Sequence, residues 1–445
     1  MKKSLLAVAA MTAFAGAAQA QSSVTVYGIL DAGYVGSNTS VTNVNQATGA
    51  AGVLTNNYAA GVAANTANKT TTSGIGNQAE STSRIGLKGS EDLGAGRSAF
   101  FTAEFTITPT EATLSGNANG GLKNRQTFVG VKQNGIGQFA VGTQYTLVFN
   151  SQGATNAGGN NNMVGNVMYI GTSENGMVSS GQVGGNNAAY TTRASNALTV
   201  DTDTFAGVKG HALVIAKNSN TTETSAAGVP ATGGQVNTNG WGLGVDYTFQ
   251  KFFGTFAYQS LKQNTASVVA TNPTNTLAAT QTATTPQIFY NADGTGIAYS
   301  ANNPLNIQDN QMYVGTMYDF GIVTAYASWI SRKASDTQNT NFYQKRQAEQ
   351  IGVSSYITPT TQVFAQAGVG TFTPMGFNQN SAHFNAWQLG SNYYLSKRTN
   401  LYAIYGQYGQ ANSTYNTYNA NGTSSGTYQT SVNANSYALG VRHTF

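Results

Sequence analysis

The stretch at residues 124–146, NRQTFVGVKQNGIGQFAVGTQYT, decides how the rest of the chain is interpreted. Two runs of strand-forming residues flank the polar tripeptide 133–135, and this pattern predicts an antiparallel hairpin. The following segment, residues 147–192, is mostly Asn, Gly, Ser, Thr and Ala and shows neither helical nor strand periodicity. The alternation of apolar and polar residues that is typical of a strand resumes at Arg193. Because structureless loops of this length are uncommon inside a compact domain, we expect the segment to have a function.

Residues 1–20 have the pattern of a cleaved signal peptide. Lys2 and Lys3 form a basic head, residues 5–17 are apolar, and Ala18-Gln19-Ala20 has the A-x-A form of a cleavage site. An uncleaved membrane anchor is disfavoured because the apolar run is shorter than roughly 18 residues. We therefore expect an exported protein in which residues 21–445 form a single domain.

The composition excludes several classes of protein. Without Cys, the chain has neither disulfides nor thiolate metal sites. Charged residues are 8% of the chain, against roughly 25% in an ordinary soluble protein. An aromatic content of 11% argues against disorder. Without Lys2 and Lys3, 19 basic and 16 acidic residues remain, and this net charge of +3 is too small to indicate a nucleic-acid partner.

Alternation of apolar and polar residues predicts a transmembrane β-barrel. About sixteen alternating runs of roughly 9–12 residues, the length that crosses a bilayer at a tilt, lie between residues 24–35 and 435–445. Short and long connections alternate, as periplasmic turns and external loops do, and the polar stretch ending at Ser81 is expected to be one such loop. An even number of strands lets the first and last strands pair and close the barrel.

The two faces of single strands support a barrel in lipid. Residues 240–249 place large apolar side chains on one face and Gly, Asp and Thr on the other. A mean hydropathy of −0.24 is compatible with a barrel, because only every second strand residue faces lipid. A soluble β-sandwich or propeller would carry more surface charge. The fold class is therefore all-β, with residues 147–192 folded into the lumen.

The chain resembles the trimeric general porins of Gram-negative outer membranes, of the β-proteobacterial type. The resemblance covers nearly all of residues 24–445 outside the loops. It rests on five segments in order, namely SSVTVYGILDAGY (22–34), SRIGLKGSEDLGAG (83–96), the hairpin at 124–146, YYLSKRTNLYAIY (393–405) and YALGVRHTF (437–445).

This resemblance implies a homotrimer in the bacterial outer membrane, in contact with lipids and lipopolysaccharide. Its function would be passive diffusion of small hydrophilic solutes and ions through a water-filled channel, without a cofactor. The terminal Phe445 would be read by the outer-membrane assembly machinery. A substrate-specific channel of the same architecture is the alternative, and Tyr27, Tyr313 and Tyr394 face the expected lumen without forming an evident aromatic slide.

The same resemblance implies a pore constriction between the inward loop and a ladder of arginines. The arginines would be Arg84, Arg125 and Arg193, and Glu174 would be the acidic residue of the loop. Relatives often have Arg at the position of Thr143, so one wall cation is expected to be missing. Because three arginines face a single acidic residue, the resemblance still implies that the channel mildly prefers anions. Other residues expected to face the lumen are Lys88, Asp31 and Glu104.

Arg125 presents a conflict within its own strand. Simple alternation places it on the face of Thr127, Val129 and Val131, which hydropathy would turn toward lipid. An arginine at mid-bilayer depth costs roughly 2–4 kcal/mol. We therefore expect this face to turn inward, with both valines buried under the loop.

An enzyme is disfavoured. The three histidines, His211, His383 and His443, are scattered through the sequence, whereas hydrolytic chemistry needs a His among partners. Asp201 and Asp203 share a strand face, and we interpret them as solvated carboxylates of the lumen wall rather than as a metal site.

Overall fold

The computed structural model describes residues 23–48, 54–55, 66–116, 121–168, 189–221, 232–269, 289–290, 297–298, 305–337, 343–373, 381–418 and 424–445. Residues 1–20, predicted to be a signal peptide, lie outside these ranges, and so does Glu174.

Nearly all of the described chain is β-strand, with helix α1 (Leu147–Ala154) between the seventh and eighth strands. Among the described residues, no helix is long and apolar enough to span a membrane. In chain order the strands are β1 (Ser23–Thr48), β2 (Leu54–Thr55), β3 (Thr66–Asn77), β4 (Arg84–Gly94), β5 (Arg97–Thr106), β6 (Lys123–Gln133), β7 (Gly137–Tyr145), β8 (Arg193–Thr202), β9 (Val208–Thr221), β10 (Thr232–Phe249), β11 (Phe252–Val269), β12 (Phe289–Tyr290), β13 (Ile297–Ala298), β14 (Leu305–Asp319), β15 (Thr324–Asp336), β16 (Tyr343–Thr358), β17 (Thr361–Thr373), β18 (Ala382–Tyr394), β19 (Thr399–Tyr418) and β20 (Ser424–Thr444).

The strands form a closed antiparallel barrel of sixteen crossings. β3 and β4 both pair with β1 and form one crossing that residues 78–83 interrupt. β20 pairs with β1 from Ile29↔Thr444 to Gln46↔Thr427, which closes the sheet. Closure gives each of the sixteen crossings two neighbours, so the barrel leaves no backbone edge unpaired in hydrocarbon. The predicted fold class and strand number are confirmed.

The outer surface carries the apolar residues of each alternating strand. On β10, Trp241, Leu243 and Val245 are exposed on the outside, while Gly242 approaches the side chain of Leu147 in the lumen. The same alternation leaves Leu439 on β20 60% exposed. Exposed side chains of this kind are stable only where lipid covers them.

The strands extend further than the alternation predicted. β1 has 26 residues, and β3 lies within the polar stretch that we expected to be a loop. In this extension the cross-strand contacts are polar, with Ser37 Oγ and Thr72 Oγ 2.7 Å apart and Thr71 Oγ donating to Asn38 Oδ1 at 3.3 Å. Most residues of this ribbon are polar, with Val41 and Ile75 among the few exceptions, so apolar alternation does not predict the strand there.

A β-bulge resolves the conflict at Arg125. Glu104 pairs with Gln126 and Phe105 pairs with Asn124, so Arg125 is an extra residue that shifts the alternation of β6 by one. Val129 is 60% exposed on the outer face. The expectation that Val129 and Val131 lie under the loop was therefore wrong. Both valines face lipid while Arg125 points inward.

The segment after β7 enters the lumen, and it begins with a helix that its composition did not predict. Thr146 caps α1 by accepting a hydrogen bond on its Oγ from the backbone N–H of Phe149, at 3.4 Å. Leu147 and Val148 are buried against the barrel wall. Because this helix is stabilised by the cap and by the wall, it needs no apolar periodicity of its own.

Candidate functional site

Segment 147–168 lies flat against one side of the lumen, and a row of buried glutamines holds it there. Gln366 Oε1 accepts a hydrogen bond from the backbone of Gly158 at 3.1 Å, and Gln388 Nε2 donates to the carbonyl of Val164 at 3.1 Å. An amide both donates and accepts, so it can satisfy the irregular backbone of a loop. The glutamine row consists of Gln259, Gln311, Gln350, Gln366 and Gln388, on β11, β14, β16, β17 and β18. Gln311 accepts its hydrogen bond from the backbone of Thr191, just before β8, and the other four bond segment 147–168.

Glycines on the same wall let the segment approach the backbone of the strands. A Cβ atom at Gly406 would overlap the carbonyl group of Val164, and one at Gly352 would lie 2.7 Å from the Cβ of Ala157. Both contacts are closer than atoms tolerate, so side chains at these positions would push the segment into the lumen. The glutamine row and the glycines together set the path of the segment.

The opposite wall carries two of the predicted arginines around one carboxylate. Arg125 Nε donates to Glu104 Oε1 at 2.8 Å, and Arg84 Nη1 lies 3.9 Å from the same oxygen. Tyr27 donates its hydroxyl to Glu104 Oε2 at 3.2 Å, and Arg125 Nη2 donates to the hydroxyl of Tyr145 at 2.7 Å. Arg125 is only 3% exposed, so these contacts hold its guanidinium in place.

Arg193 and Arg442 complete the basic wall. The guanidinium carbon of Arg193 lies 5.4 Å from the centre of the Tyr145 ring. Arg442 Nη1 lies 3.4 Å from Glu80 Oε1. One cavity of about 460 Å³ is lined by Arg84, Arg125, Arg193 and Arg442 on this wall and by residues 156–160 of the inward segment. The structure therefore brings the three predicted arginines together.

Arg442 and Glu80 were not predicted as site residues. Arg442 lies on the polar face of the last strand, and Glu80 is one of two charged residues in a long polar stretch. The alternation of apolar and polar residues along the last strand could therefore have indicated that Arg442 faces the lumen. Their ion pair depends on barrel closure, which brings β20 beside residues 78–83.

The other residues expected to face the lumen have different surroundings. Asp31 is fully buried; its Oδ2 accepts from the backbone N–H groups of Glu80 and Ser81, at 2.9 and 2.6 Å, and its Oδ1 accepts from Tyr402. Asp31 thus holds the interruption between β3 and β4. Lys88 is exposed on the inner face, with Nζ 5.3 Å from the centre of the Tyr27 ring.

Thr143 does not occupy a lumen position. It pairs with Thr127 on the face of Val129 and Val141, which are 60% and 49% exposed on the outside. The expectation that a wall cation is missing at this position was therefore wrong. An arginine at this site would face outward.

Aromatic rings line the cavity beside the arginines. Tyr145 stacks on Phe149 with 4.2 Å between ring centres. Tyr394 also lines this cavity, whereas Tyr313 is fully buried and lies 2.6 Å from Thr155 Oγ of the inward segment. The five aromatic residues of the lining are Tyr145, Phe149, Tyr326, Phe364 and Tyr394.

His211 has two carboxylate partners rather than a nucleophile. Its Nδ1 lies 2.7 Å from Asp201, and its Nε2 lies 3.1 Å from Asp246. Neither ring nitrogen contacts a hydroxyl group, so the arrangement lacks the Ser–His geometry of a hydrolase. Asp201 is thus paired rather than simply solvated, and Asp203 accepts from the turn amide of Gly135 at 2.5 Å. Among the described residues, no group of acidic and histidine side chains is arranged to hold a metal ion.

Phe445 lies where the barrel closes. Its backbone N–H donates to the carbonyl of Gly28, and its carbonyl accepts from the N–H of Gly28, both at 3.1 Å. Its side chain is 37% exposed on the outer surface. The last residue of the chain thus extends the β1–β20 pairing by one step.

Comparison with known proteins yields consistent matches. A family model described as Gram-negative porin matches residues 7–413. An outer membrane porin protein of Bordetella pertussis is 36% identical over 151 residues, which are 33% of this chain and 34% of that protein. Outer membrane porin protein 32 of Delftia acidovorans is 39% identical over 134 residues, 30% of this chain and 29% of that one. Each alignment thus spans about a third of the relative's length.

The fold matches solved structures over a larger part of the chain. A structure described as an anion-selective porin from Comamonas acidovorans has a TM-score of 0.55 and 19% sequence identity. The match covers 96% of this chain and all of the other. OmpT of Vibrio cholerae has a TM-score of 0.53 at 13% identity and covers 95% of this chain and 98% of its own.

Proposed function

Because the chain belongs to the Gram-negative porin family and lies in the bacterial outer membrane, we propose that it is a channel for passive diffusion. Small hydrophilic solutes and ions cross its water-filled lumen, and the channel mildly prefers anions. The observation that carries the proposal is the cavity of about 460 Å³ that four arginines and the inward segment line together.

Charge near the narrowest part of a pore sets the ion preference. Interactions are screened beyond roughly 8 Å at physiological salt, so distant loop charges contribute little. Glu80, Glu104 and the buried Asp31 oppose the four arginines, which leaves a net charge of +1 at this site. A positive ring favours anions, and a balance this small makes the preference weak. Anion selectivity is also stated for the Comamonas acidovorans porin of the same fold.

The inward segment gives the channel a fixed aperture. Glutamines on four strands hydrogen-bond the backbone of the segment, and Gly352 and Gly406 let it approach the wall closely. Passage then depends on the size and charge of the solute, without a chemical step. This supports the proposal of a channel.

The proposal includes the partners that the resemblance implies. The barrel forms a homotrimer, its exposed apolar belt contacts outer-membrane lipids and lipopolysaccharide, and Phe445 is recognised by the assembly machinery. The exposed apolar surface on all sides of the barrel supports contact with lipid. The position of Phe445 at the closing pair supports a role in assembly.

The zero-current potential across a KCl gradient tests the proposal. We expect an anion-selective sign for the wild type and a shift toward cations for Arg193→Ser. Lys397→Ser, in the exposed turn between β18 and β19, serves as the control and should leave the potential unchanged. Cation preference in the wild type would contradict the proposal.

A substrate-specific channel is the second candidate, and the five aromatic rings beside the arginines favour it. Such a lining suits an anion with a planar apolar part. Saturable flux of benzoate, with block of the chloride current, would assign the protein to this class. Flux that stays linear with concentration would assign it to the general diffusion channels.

A further inference from the structure

A row of four charged side chains crosses the inner face of the barrel between the short turns and α1. Asp201 on β8 and His211 on β9 are direct cross-strand partners, and Asp246 on β10 pairs with Lys209 on β9. His211 shares its strand face with buried Leu213, which belongs to the hydrophobic cluster beneath α1. The charged row therefore lines the lumen, at the end nearer the periplasm.

His211 lies between two carboxylates and contacts both. Its Nδ1 is 2.7 Å from Asp201 Oδ1, and its Nε2 is 3.1 Å from Asp246 Oδ2. Ionised carboxylates only accept hydrogen bonds, so both ring nitrogens have to donate. An imidazole has two N–H groups only when it is protonated. In this arrangement His211 therefore carries a positive charge.

The net charge of the row depends on the proton of His211. Protonated His211 and Lys209 contribute +2 and the two carboxylates contribute −2, so the row is neutral as a whole. Loss of the imidazole proton leaves a net charge of −1. The side chains of His211, Asp201 and Asp246 are 17%, 22% and 27% exposed, so lumen water and ions can approach them.

The row also reaches the inward segment. Thr255 on β11 donates to Asp246 Oδ1 at 2.6 Å, and its Oγ lies 2.8 Å from Ser151 Oγ on α1. In the same helix, Phe149 stacks on Tyr145 of the arginine wall, with 4.2 Å between ring centres. The charged row thus lies directly beside the segment that narrows the lumen, where ions pass close to the wall.

The elements that pack against the row do not change its dependence on the imidazole proton. β7 and α1 contain no charged residue, and Lys262, the charged residue of β11, lies toward the other end of that strand. Asp203, in the turn after β8, accepts a hydrogen bond from the backbone of Gly135. Lys132 on β6 is two strands away from Asp201, roughly 10 Å across the sheet and beyond the screening length of roughly 8 Å.

We propose that His211 is a second determinant of the ion preference of the channel. With its proton, His211 and Lys209 cancel the charges of Asp201 and Asp246, so the preference set by the arginines is not opposed on the periplasmic side of α1. Without its proton, the row is negative and attracts cations. The inference rests on the proposed function, because it concerns ions in the same lumen.

Zero-current potentials in a KCl gradient at neutral pH test the role of the charge. His211→Gln removes a positive charge and should shift the potential toward cations, by an amount comparable to the shift in Arg193→Ser. Asp201→Asn removes a negative charge and should shift the potential toward anions. His211→Gln/Asp201→Asn has the net charge of the wild type and should return close to its potential. Opposite shifts identify an effect of charge, because a disrupted wall would not reverse its effect with the sign of the lost charge.

His383→Gln is the matched control, because alternation places His383 on the exposed outer face of β18. Its potential should equal that of the wild type. Heat-modifiable migration in gel electrophoresis shows that each variant has folded. An unchanged potential in His211→Gln, or shifts of the two single variants in the same direction, would overturn the proposal.

The pH profile separates the charge of His211 from its shape. Between about pH 7 and about pH 10, the wild type should shift toward cations as the imidazole loses its proton, and His211→Gln should lack this step. The two proteins should therefore differ at neutral pH and converge at alkaline pH, since lysines and tyrosines titrate in both. A difference that stays constant up to about pH 10 would assign the effect to the shape of the wall and overturn the proposal.

The same measurements distinguish this inference from the proposed function. Cation preference in the wild type would contradict the proposed function, and the difference between the wild type and His211→Gln would still report on His211. Anion preference in the wild type with no difference between the two proteins would support the proposed function and overturn the role of His211.

Discussion

Arg125 Nε lies 2.8 Å from Glu104 Oε1, and a β-bulge on β6 makes this ion pair possible. Both side chains are 4% exposed. The bulge leaves Gln126 opposite Glu104 and makes Arg125 the extra residue, so its guanidinium can reach the carboxylate from the lumen side. The cation at the narrow part of the lumen is thus held by its neighbours before any solute arrives.

Loss of Arg125 should change ion preference more than the loss of one charge implies. Arg125→Ser removes a cation and also leaves Glu104 with only the more distant Arg84 as a cationic partner. We expect the zero-current potential in a KCl gradient to shift further toward cations than in Arg193→Ser. Folding stability should also fall, by up to about 3–5 kcal/mol, because Glu104 loses its closest cationic partner and keeps only Arg84 at 3.9 Å and the hydroxyl of Tyr27.

The double variant Arg125→Ser/Glu104→Gln separates these two effects. Replacing the carboxylate with an amide should return most of the lost ion preference and part of the lost stability. If Arg125→Ser and the double variant have the same zero-current potential, Glu104 does not contribute to the field of the pore.

The aperture should depend on a glycine in the barrel wall. Gly406→Val places a side chain where the carbonyl of Val164 lies, so segment 147–168 must move away from the wall. Overpacking of this kind costs about 1–3 kcal/mol. We expect an altered and noisier single-channel conductance. Gly409→Val, three residues along β19, is the control, because the nearest atom to its Cβ is Asn385 Oδ1 at 3.4 Å. Identical conductance in both variants would mean that the segment does not limit the pore.

Closure of the barrel should depend on the outer face of β20. Val441 is 41% exposed toward lipid and pairs with Ala32 on β1. Val441→Asp should lower the yield of folded protein in outer membranes, since a charged side chain on the lipid face destabilises a barrel. Deletion of Phe445 should act in the same direction, because it removes two backbone hydrogen bonds to Gly28.

Thr444→Asp is the matched control for closure, because alternation places Thr444 on the inner face of the same strand. Its folded yield should match that of the wild type. Export to the periplasm should be unchanged in all three variants. Wild-type yields for Val441→Asp would show that β20 does not face lipid at this position.

The assembly should be a heat-modifiable trimer. A closed barrel keeps all of its strand hydrogen bonds in detergent, so the folded oligomer should resist dissociation until it is heated. We expect unboiled protein to migrate as a trimer in gel electrophoresis and boiled protein as a monomer. A chain that stays monomeric after mild extraction and chemical crosslinking would contradict the trimer.

Alternation along single strands was enough to predict the barrel and its sixteen crossings. The bilayer imposes this pattern locally, because each outward residue meets lipid whatever the rest of the chain does. The alternation of apolar and polar residues failed to predict the structure where outward residues no longer meet lipid. β3 lies in a polar ribbon in which neither face needs apolar residues, and α1 is stabilised by the Thr146 cap and by contacts with the wall.

The sequence alone predicted only part of the constriction. Resemblance indicated Arg84, Arg125 and Arg193, but periodicity placed Arg125 on the wrong side, because a bulge of one residue reverses the faces of a strand and has no signal in apolar patterning. The pairing of Arg442 with Glu80 and the glutamine row depend on contacts between distant parts of the chain. Sequence determined the barrel because lipid acts on each residue separately, whereas tertiary structure decided the pore because its charges and loop contacts arise only after the sheet has closed.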